Sequence, residues 1–217
     1  MANSPRTRLD PEARRSQLVA LGLKMLSTRP LDKVAIDDIA AEAGISRGLL
    51  FHYFPTKRDY HVAVARAAAQ ELLDRTDTLL GATVGERLRA NVEAFVDHLT
   101  ENRDAYVAFI RGSAGGDPDL LAVYEDTRTA FTDRVLTGLG LAHLDEPRLR
   151  PAVRGWVAFT EEVTVDWLSR GRDGLDRDGL VDLIDEALVA LVTAATGTPP
   201  RLRLEISLPD PRPIQPL

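Results

Sequence analysis

The 217-residue chain is predicted to be all-α, with a small three-helix unit at the N-terminus and a larger helical domain after it. Three observations point there. Apolar residues recur at three- and four-residue spacing along most of the chain, the period that gathers them on one face of a helix. The periodic stretches are separated by short breaks built from Gly, Pro and Asp, of which Asp10-Pro11, Gly44, Asp117-Pro118 and Gly197 are the clearest. Strand-like alternation with a period of two occurs only in the C-terminal tail.

Taken in order, Asp10 caps a first helix, Pro11 opens it and Glu12 sits in its first turn. Leu18, Leu21, Met25 and Leu26 form its buried stripe, and Arg29-Pro30 ends it. Ile36, Ile39, Ala40 and Ala43 make one face of a short second helix. Asp37 and Asp38 lie where the helix dipole favours negative charge, and Gly44 supplies the left-handed stop. Ser46 caps a third helix whose Leu50, Tyr53 and Phe54 pack back on the second, and Pro55 closes it. Thr56 caps a fourth, with Asp59 in a weak capping box. Tyr60, Val64, Ala67, Ala68 and Leu72 carry this helix to about Leu80, a span of about 35 Å.

Beyond Gly85, Leu88, Val92, Phe95, Val96 and Leu99 mark one helix, and Tyr106, Phe109 and Ile110 a shorter one. After the loop at 113–118, Asp117 caps and Pro118 opens a helix running towards Gly138 and Gly140. A long helix over 147–170 carries Trp156, Phe159, Val163 and Trp167, and a last one runs from about 178 to 196. The division is therefore a flexible arm at 1–9, a helix-turn-helix head at 10–56, a linking helix at 57–80, a helical domain at 81–197 and a Pro-rich tail at 198–217. Within the tail, Leu202, Leu204, Ile206 and Leu208 alternate with polar residues, and 202–208 is predicted to be an ordered extended segment.

Net charge is −6, but it is unevenly spread: residues 1–60 carry +3 and the remainder −9. A basic head on an acidic body fits a small reader of nucleic acid joined to a domain that does not touch it. The chain has no cysteine, which removes disulfides and thiolate chemistry. Its first residues have no apolar stretch of signal-peptide type, and no apolar run approaches the ~20 residues a membrane span needs. The expectation is a soluble, cytoplasmic protein with no membrane partner.

Two short helices joined by a glycine-containing turn are the layout of a helix-turn-helix, whose second helix enters the DNA major groove. Its exposed face carries Arg47, Gly48, Leu49 and His52. An arginine can bond bidentately to guanine, and a glycine allows close approach of the backbone. On spacing alone, the alternative is a pair of core helices in an ordinary helical protein.

Ile39-Ala40, Ala43 to Ser46, Leu50 to Phe54, and Lys57 together resemble the DNA-binding domain of the tetracycline-repressor (TetR/AcrR) family of bacterial transcription regulators. The likeness covers roughly residues 11–61. It implies that Ser46, Arg47, Gly48, Leu49 and His52 face the groove and that Tyr53 and Lys57 contact phosphate. Two positions depart from the family pattern. Phe51 stands where a tyrosine is usual, and Ala35 where a Ser or Thr commonly caps the second helix. Backbone anchoring then leans on Ser46, Tyr53, Lys57 and Arg6 or Arg8 in the arm.

No catalytic constellation accompanies these motifs. The four histidines (52, 61, 98, 143) lack metal-ligand spacing, no glycine-rich phosphate loop follows a strand, and Ser113 lies outside any nucleophile elbow. No enzyme activity, metal or cofactor is expected. Eight of the twelve aromatics fall in the C-terminal part, where some fill a core and others can line an apolar pocket. The family likeness implies a small-molecule effector and a homodimer. The candidate ligand-binding set is Phe95, Tyr106, Phe109, Tyr124, Phe131, Trp156, Phe159 and Glu162, one of the adjacent pair Glu161-Glu162 having to turn towards the apolar side. The last two long helices carry more apolar positions than one stripe needs. Val153, Val157 and Leu168 on one, and Val181, Val189 and Val192 on the other, are assigned to a two-fold interface.

The reading is a DNA-binding transcription regulator, a repressor released from a palindromic operator on double-stranded DNA by a small, largely apolar effector. A helical ligand-binding or scaffold protein without working DNA readout is the alternative, and an enzyme acting on the pocket ligand a third.

Overall fold

A computed structural model describes residues 10–26, 34–77, 83–114, 117–170 and 174–200. Every regular element among them is a helix: α1 (Pro11–Leu26), α2 (Ile36–Glu42), α3 (Arg47–Tyr53), α4 (Lys57–Arg75), α5 (Val84–Ala114), α6 (Pro118–Gly138), α7 (Leu149–Ser169) and α8 (Arg177–Thr196). The proposed strand at 202–208, the arm at 1–9 and the Arg29-Pro30 stop lie outside the described residues.

Local chemistry places most boundaries where the sequence puts them. Gly44 has φ +62°, and the amides of Gly44 and Ile45 donate to the carbonyls of Ala41 and Ala40, the paired bonds that close a helix on a left-handed residue. Ser46 accepts from the Leu49 amide at 3.2 Å. Thr56 and Asp59 form a complete capping box rather than a weak one. Thr83 and Glu86 form another at the start of α5, each accepting from the other's amide. Asp117 accepts from the amides of Asp119 and Leu120, and Asp176 from that of Gly179.

Two boundaries differ from expectation. Helix α4 stops at Arg75 rather than Leu80, a length of about 28 Å. There the Thr76 hydroxyl donates to the carbonyls of Leu72 and Leu73, and Arg134 of α6 also donates to Leu73. These carbonyls are satisfied from outside the helix, so it has no need to continue. The two helices expected over 85–110 are present but run on without a loop, meeting at a break at Asn102 (φ −122°, ψ 22°). The Asn102 amide donates to the His98 carbonyl at 3.0 Å, a side-chain competitor of the backbone ladder.

Two cores result. In the head, Leu18, Ile39, Leu50, Phe54, Tyr60 and Val64 are fully or almost fully buried, together with Val34 and with Val123 from α6. In the larger domain, Val96 of α5 packs with Val153, Trp156, Leu180, Val181, Ile184, Leu188 and Val192 of α7 and α8. Helices α4 and α6 belong to both regions. Tyr60 and Val64 sit in the head and Leu72 packs with Phe95 and Leu99, while Val123 sits in the head and Leu136 in the large core.

This packing corrects the assignment of the surplus apolar face. Val153, Val157, Val181 and Val192 are buried within the chain, because α7 lies along α8 and also against α5 and α6. The outward apolar face of the pair is instead Ala152, Gly155 and Phe159 with Ala187, Ala190 and Leu191, which line a shallow depression, and Leu183 is exposed on the same α8.

One buried carboxylate makes stability depend on pH. Asp185 of α8 faces Arg89 of α5 at 3.4 Å, while Arg89 spends its shorter bond of 2.6 Å on Asp182. Burial pushes the Asp185 carboxyl up to about 6, against the opposing pull of Arg89. A folded-state pKa above the unfolded value gives stability that is full below the ordinary carboxylate range and lost as pH rises through about 6. Asp185→Asn should therefore gain on the order of 1 kcal/mol near neutral pH, after allowance for solvent screening. The gain should vanish near pH ~4, where the native carboxyl is already neutral. Denaturant unfolding of both proteins at the two pH values measures it.

Candidate DNA-reading head and effector cavity

On α3, Leu50 is buried, while Arg47, Gly48, Leu49 and His52 are exposed together. Tyr53 is half-buried and meets His52 edge-to-face at 5.3 Å between ring centres. Lys57 opens α4 and is exposed. All seven residues read from the sequence as DNA-facing therefore reach the head's surface, six of them exposed and Tyr53 half-buried. Arg47 rests on Asp37 of α2 at 3.3 Å and over the Phe51 ring at 5.5 Å. With side chains 62% and 70% exposed, that ion pair is worth about 0–1 kcal/mol, so a base edge competes for the guanidinium at little cost. Ala35 holds the N-cap position of α2 with no side-chain bond, as its sequence position implied.

The second feature is a cavity of about 540 Å³ lined mainly by α4, α5, α6 and α7, within the roughly 300–1,000 Å³ usual for small-molecule sites. Its apolar wall includes Leu72, Leu88, Val92, Phe95, Phe109, Phe131, Trp156 and Val157. Edge-to-face contacts tie Phe95 to Tyr106 and Phe131, and Phe109 to Tyr124. The Trp156 indole donates to the Ile184 carbonyl of α8 at 2.7 Å, which spends its polar atom on the core and fixes the ring. The break at Asn102 separates Phe95 and His98 from Tyr106 and Phe109, and all four face the cavity.

One patch of the wall is polar. Glu161 accepts from the Tyr106 hydroxyl at 2.5 Å and from the Tyr124 hydroxyl at 2.9 Å, and Arg128 lies 3.6 Å from it. The Arg128 guanidinium also stands 5.3 Å from the centre of the Tyr124 ring. Burial, then the neighbouring Glu161, raises both phenols above their ordinary range, so both remain donors at neutral pH.

Six of the eight ligand-binding residues read from the sequence border this cavity: Phe95, Tyr106, Phe109, Tyr124, Phe131 and Trp156. Phe159 and Glu162 do not. Phe159 lies on the outward face of α7, and Glu162 is exposed. The reason is helical phase. Val153, Val157, Thr160, Glu161 and Thr164 recur at spacings of three and four and are buried together, whereas Glu162 stands about 100° further round. Glu161 is the inward member of the pair, and the signal for it was its phase with Val157, four residues before, and Thr164, three residues after. Arg128 was also missed, although it is four residues from Tyr124 and three from Phe131, on the same face of α6.

Comparison with known proteins assigns both parts of the chain to one family. A family profile described as "Bacterial regulatory proteins, tetR family" matches residues 18–60, and one described as "Tetracyclin repressor-like, C-terminal domain" matches residues 84–191. The crystal structure of a tetR-family transcriptional regulator from Streptomyces coelicolor is 31% identical. It covers 87% of this chain and 84% of its own, with a TM-score of 0.70. The chain belongs to the TetR family of transcription regulators. The HTH-type transcriptional activator FasR of Mycolicibacterium smegmatis is 28% identical over 178 residues, 81% of each chain. The transcriptional repressor KstR2 of the same organism is 30% identical over 119 residues, 54% of this chain and 58% of its own. TetR membership makes α1–α3 a DNA-binding head and the chain a DNA-binding transcription regulator. No helix among the described residues of this TetR protein is long and apolar enough to cross a membrane.

Proposed function

We propose that this TetR-family chain is a repressor that binds a palindromic operator as a homodimer and leaves it when a small, largely apolar effector fills the cavity between α4 and α6. The observation that carries this reading is the sharing of those two helices. Tyr60, Val64 and Val123 belong to the head's core, while Leu72, Arg128 and Phe131 of the same helices border the cavity. Arg58, next to Lys57, grips Asp117 at the start of α6 with bonds of 2.7 and 3.1 Å and reaches Asp119 at 3.1 Å. Any ligand that favours a different spacing of α4 and α6 thus tilts the head. It shifts the equilibrium only by its difference in affinity for the two states.

In this reading Ser46, Arg47, Gly48, Leu49 and His52 meet the groove, and Tyr53 and Lys57 meet phosphate. Arg47→Ala should cost about 1–3 kcal/mol on the selected operator and relax preference at one base position per half-site. Lys57→Ala should weaken all sequences alike and flatten the salt dependence. Operator selection from a random library with each protein is the test, and an unchanged base preference for Arg47→Ala would reject the assignment.

The homodimer is proposed to form across the outward apolar face of α7 and α8, and to set half-sites about one helical turn apart. Sedimentation at micromolar concentration should show a dimer, and Leu191→Glu, which buries a charge in that face, should shift it to monomer. An unshifted dimer would place the interface elsewhere.

A further inference from the structure

The polar patch of the cavity says more about the ligand than its apolar wall does. Its donors and acceptors can be counted. The hydroxyls of Tyr106 and Tyr124 have given their single protons to Glu161. Elsewhere on the wall, Thr127 and Thr160 donate to carbonyls of their own helix, the Asn102 amide donates to His98, and Arg134 donates to Leu73. Arg128 is different. Its Nε is buried with no hydrogen-bond partner, and its 3.6 Å approach to Glu161 is an ion pair too long to be a hydrogen bond. Its side chain is only 17% exposed, so water is a poor substitute for the missing acceptors. A guanidinium carries five N–H donors in a fixed fork.

We infer that the cavity takes an apolar molecule whose inner end is an uncharged hydrogen-bond acceptor, the carbonyl of a ketone, ester or lactone, received by the Arg128 guanidinium. The charge of that site is already balanced, since Glu161 faces Arg128. A carboxylate would bring a second negative charge beside Glu161, whose ion-pair partner among the described residues is Arg128 itself, a costly burial. An ammonium would stand beside Arg128, which is already the counter-charge of Glu161, and so would add an unbalanced positive charge to the site. An uncharged carbonyl uses the free donors and adds no charge, and the aromatic wall of Phe95, Phe109, Phe131 and Trp156 receives the rest of the molecule. This deepens the proposed function and rests on its reading of the cavity as the effector site.

The test is a matched series on the full-length protein: a decyl chain ending in a methyl ketone, a methyl ester, a carboxylate or an ammonium, with binding followed by calorimetry and operator release by gel shift. The ketone and ester should bind about tenfold or more tighter than either ion. Glu161→Gln, which removes the balancing charge but keeps an acceptor for a phenol, should move the preference to the carboxylate. Arg128→Met together with Glu161→Gln stays neutral, so it avoids an unpaired buried charge, and it should bind the ketone and the ester about tenfold more weakly than the unaltered protein does. Equal or tighter binding of the carboxylate to the unaltered protein would overturn the inference. So would a Glu161→Gln protein with unchanged preference, or no binding by any member of the series. Binding of the ester without operator release would leave the inference standing and reject the effector reading. Release by ester and carboxylate alike would do the reverse.

Discussion

Gly22→Ala is expected to destabilise the head by about 1–3 kcal/mol, although the same change in an exposed helix gains close to 1 kcal/mol through helix propensity. The sign is set by what surrounds the position. A Cβ on Gly22 of α1 would lie 2.5 Å from the Tyr60 hydroxyl and 2.5 Å from Cγ2 of Val64, and both residues are fully buried in α4. Tyr60 has little room to yield, because its hydroxyl donates to the Leu18 carbonyl of α1 at 2.9 Å and its ring stands edge-on to Phe54 at 5.0 Å. Moving the ring stretches that bond and disturbs the contact through which the third helix of the head is held. Gly22→Val should cost more still. The expected readout is a lower unfolding midpoint and weaker binding to operator and random DNA alike, which separates this change from Arg47→Ala. An unchanged or raised midpoint for Gly22→Ala would show that α1 and α4 can part by the roughly 1 Å needed to restore ordinary contact distances.

Glu161→Ala is expected to cost about 3–5 kcal/mol, the range for removing one partner of a buried charged pair. The loss falls on three groups at once. Arg128 would be left without its counter-charge, and the Tyr106 and Tyr124 hydroxyls without the acceptor that both now use. Glu162→Ala, one residue along but exposed, should fall within about 0.5 kcal/mol of the unaltered protein. Glu161→Gln should lie between them. Urea unfolding of the three variants checks the order, and similar losses at 161 and 162 would contradict the helical phase described for α7.

Much of this molecule is written in short-range chemistry. The capping residues Ser46, Thr56 and Asp117, the proline openings of α1 and α6, and the left-handed glycines 44 and 197 act within about one helical turn. The sequence was therefore enough to place most helix ends, though not that of α4, together with the helix-turn-helix and the exposed set Arg47, Gly48, Leu49 and His52. The break at Asn102 was legible as well, as the polar gap between two apolar runs. What the sequence could not decide by itself was which side of each long helix faces which neighbour. Val153, Val157, Val181 and Val192 have the spacing of an interface, and they became core because α7 is covered on several sides. Phe159, read as pocket-lining, faces outward for the same reason. The choice of Glu161 over Glu162 followed from the phase of α7 against α5 and α6, and the demand for a glycine at position 22 from the approach of Tyr60, thirty-eight residues away. Caps and turns are satisfied by atoms a few residues off, so sequence alone determines them. Burial of a face, the partner of a buried charge and the room for a side chain depend on atoms that only the packed chain brings together.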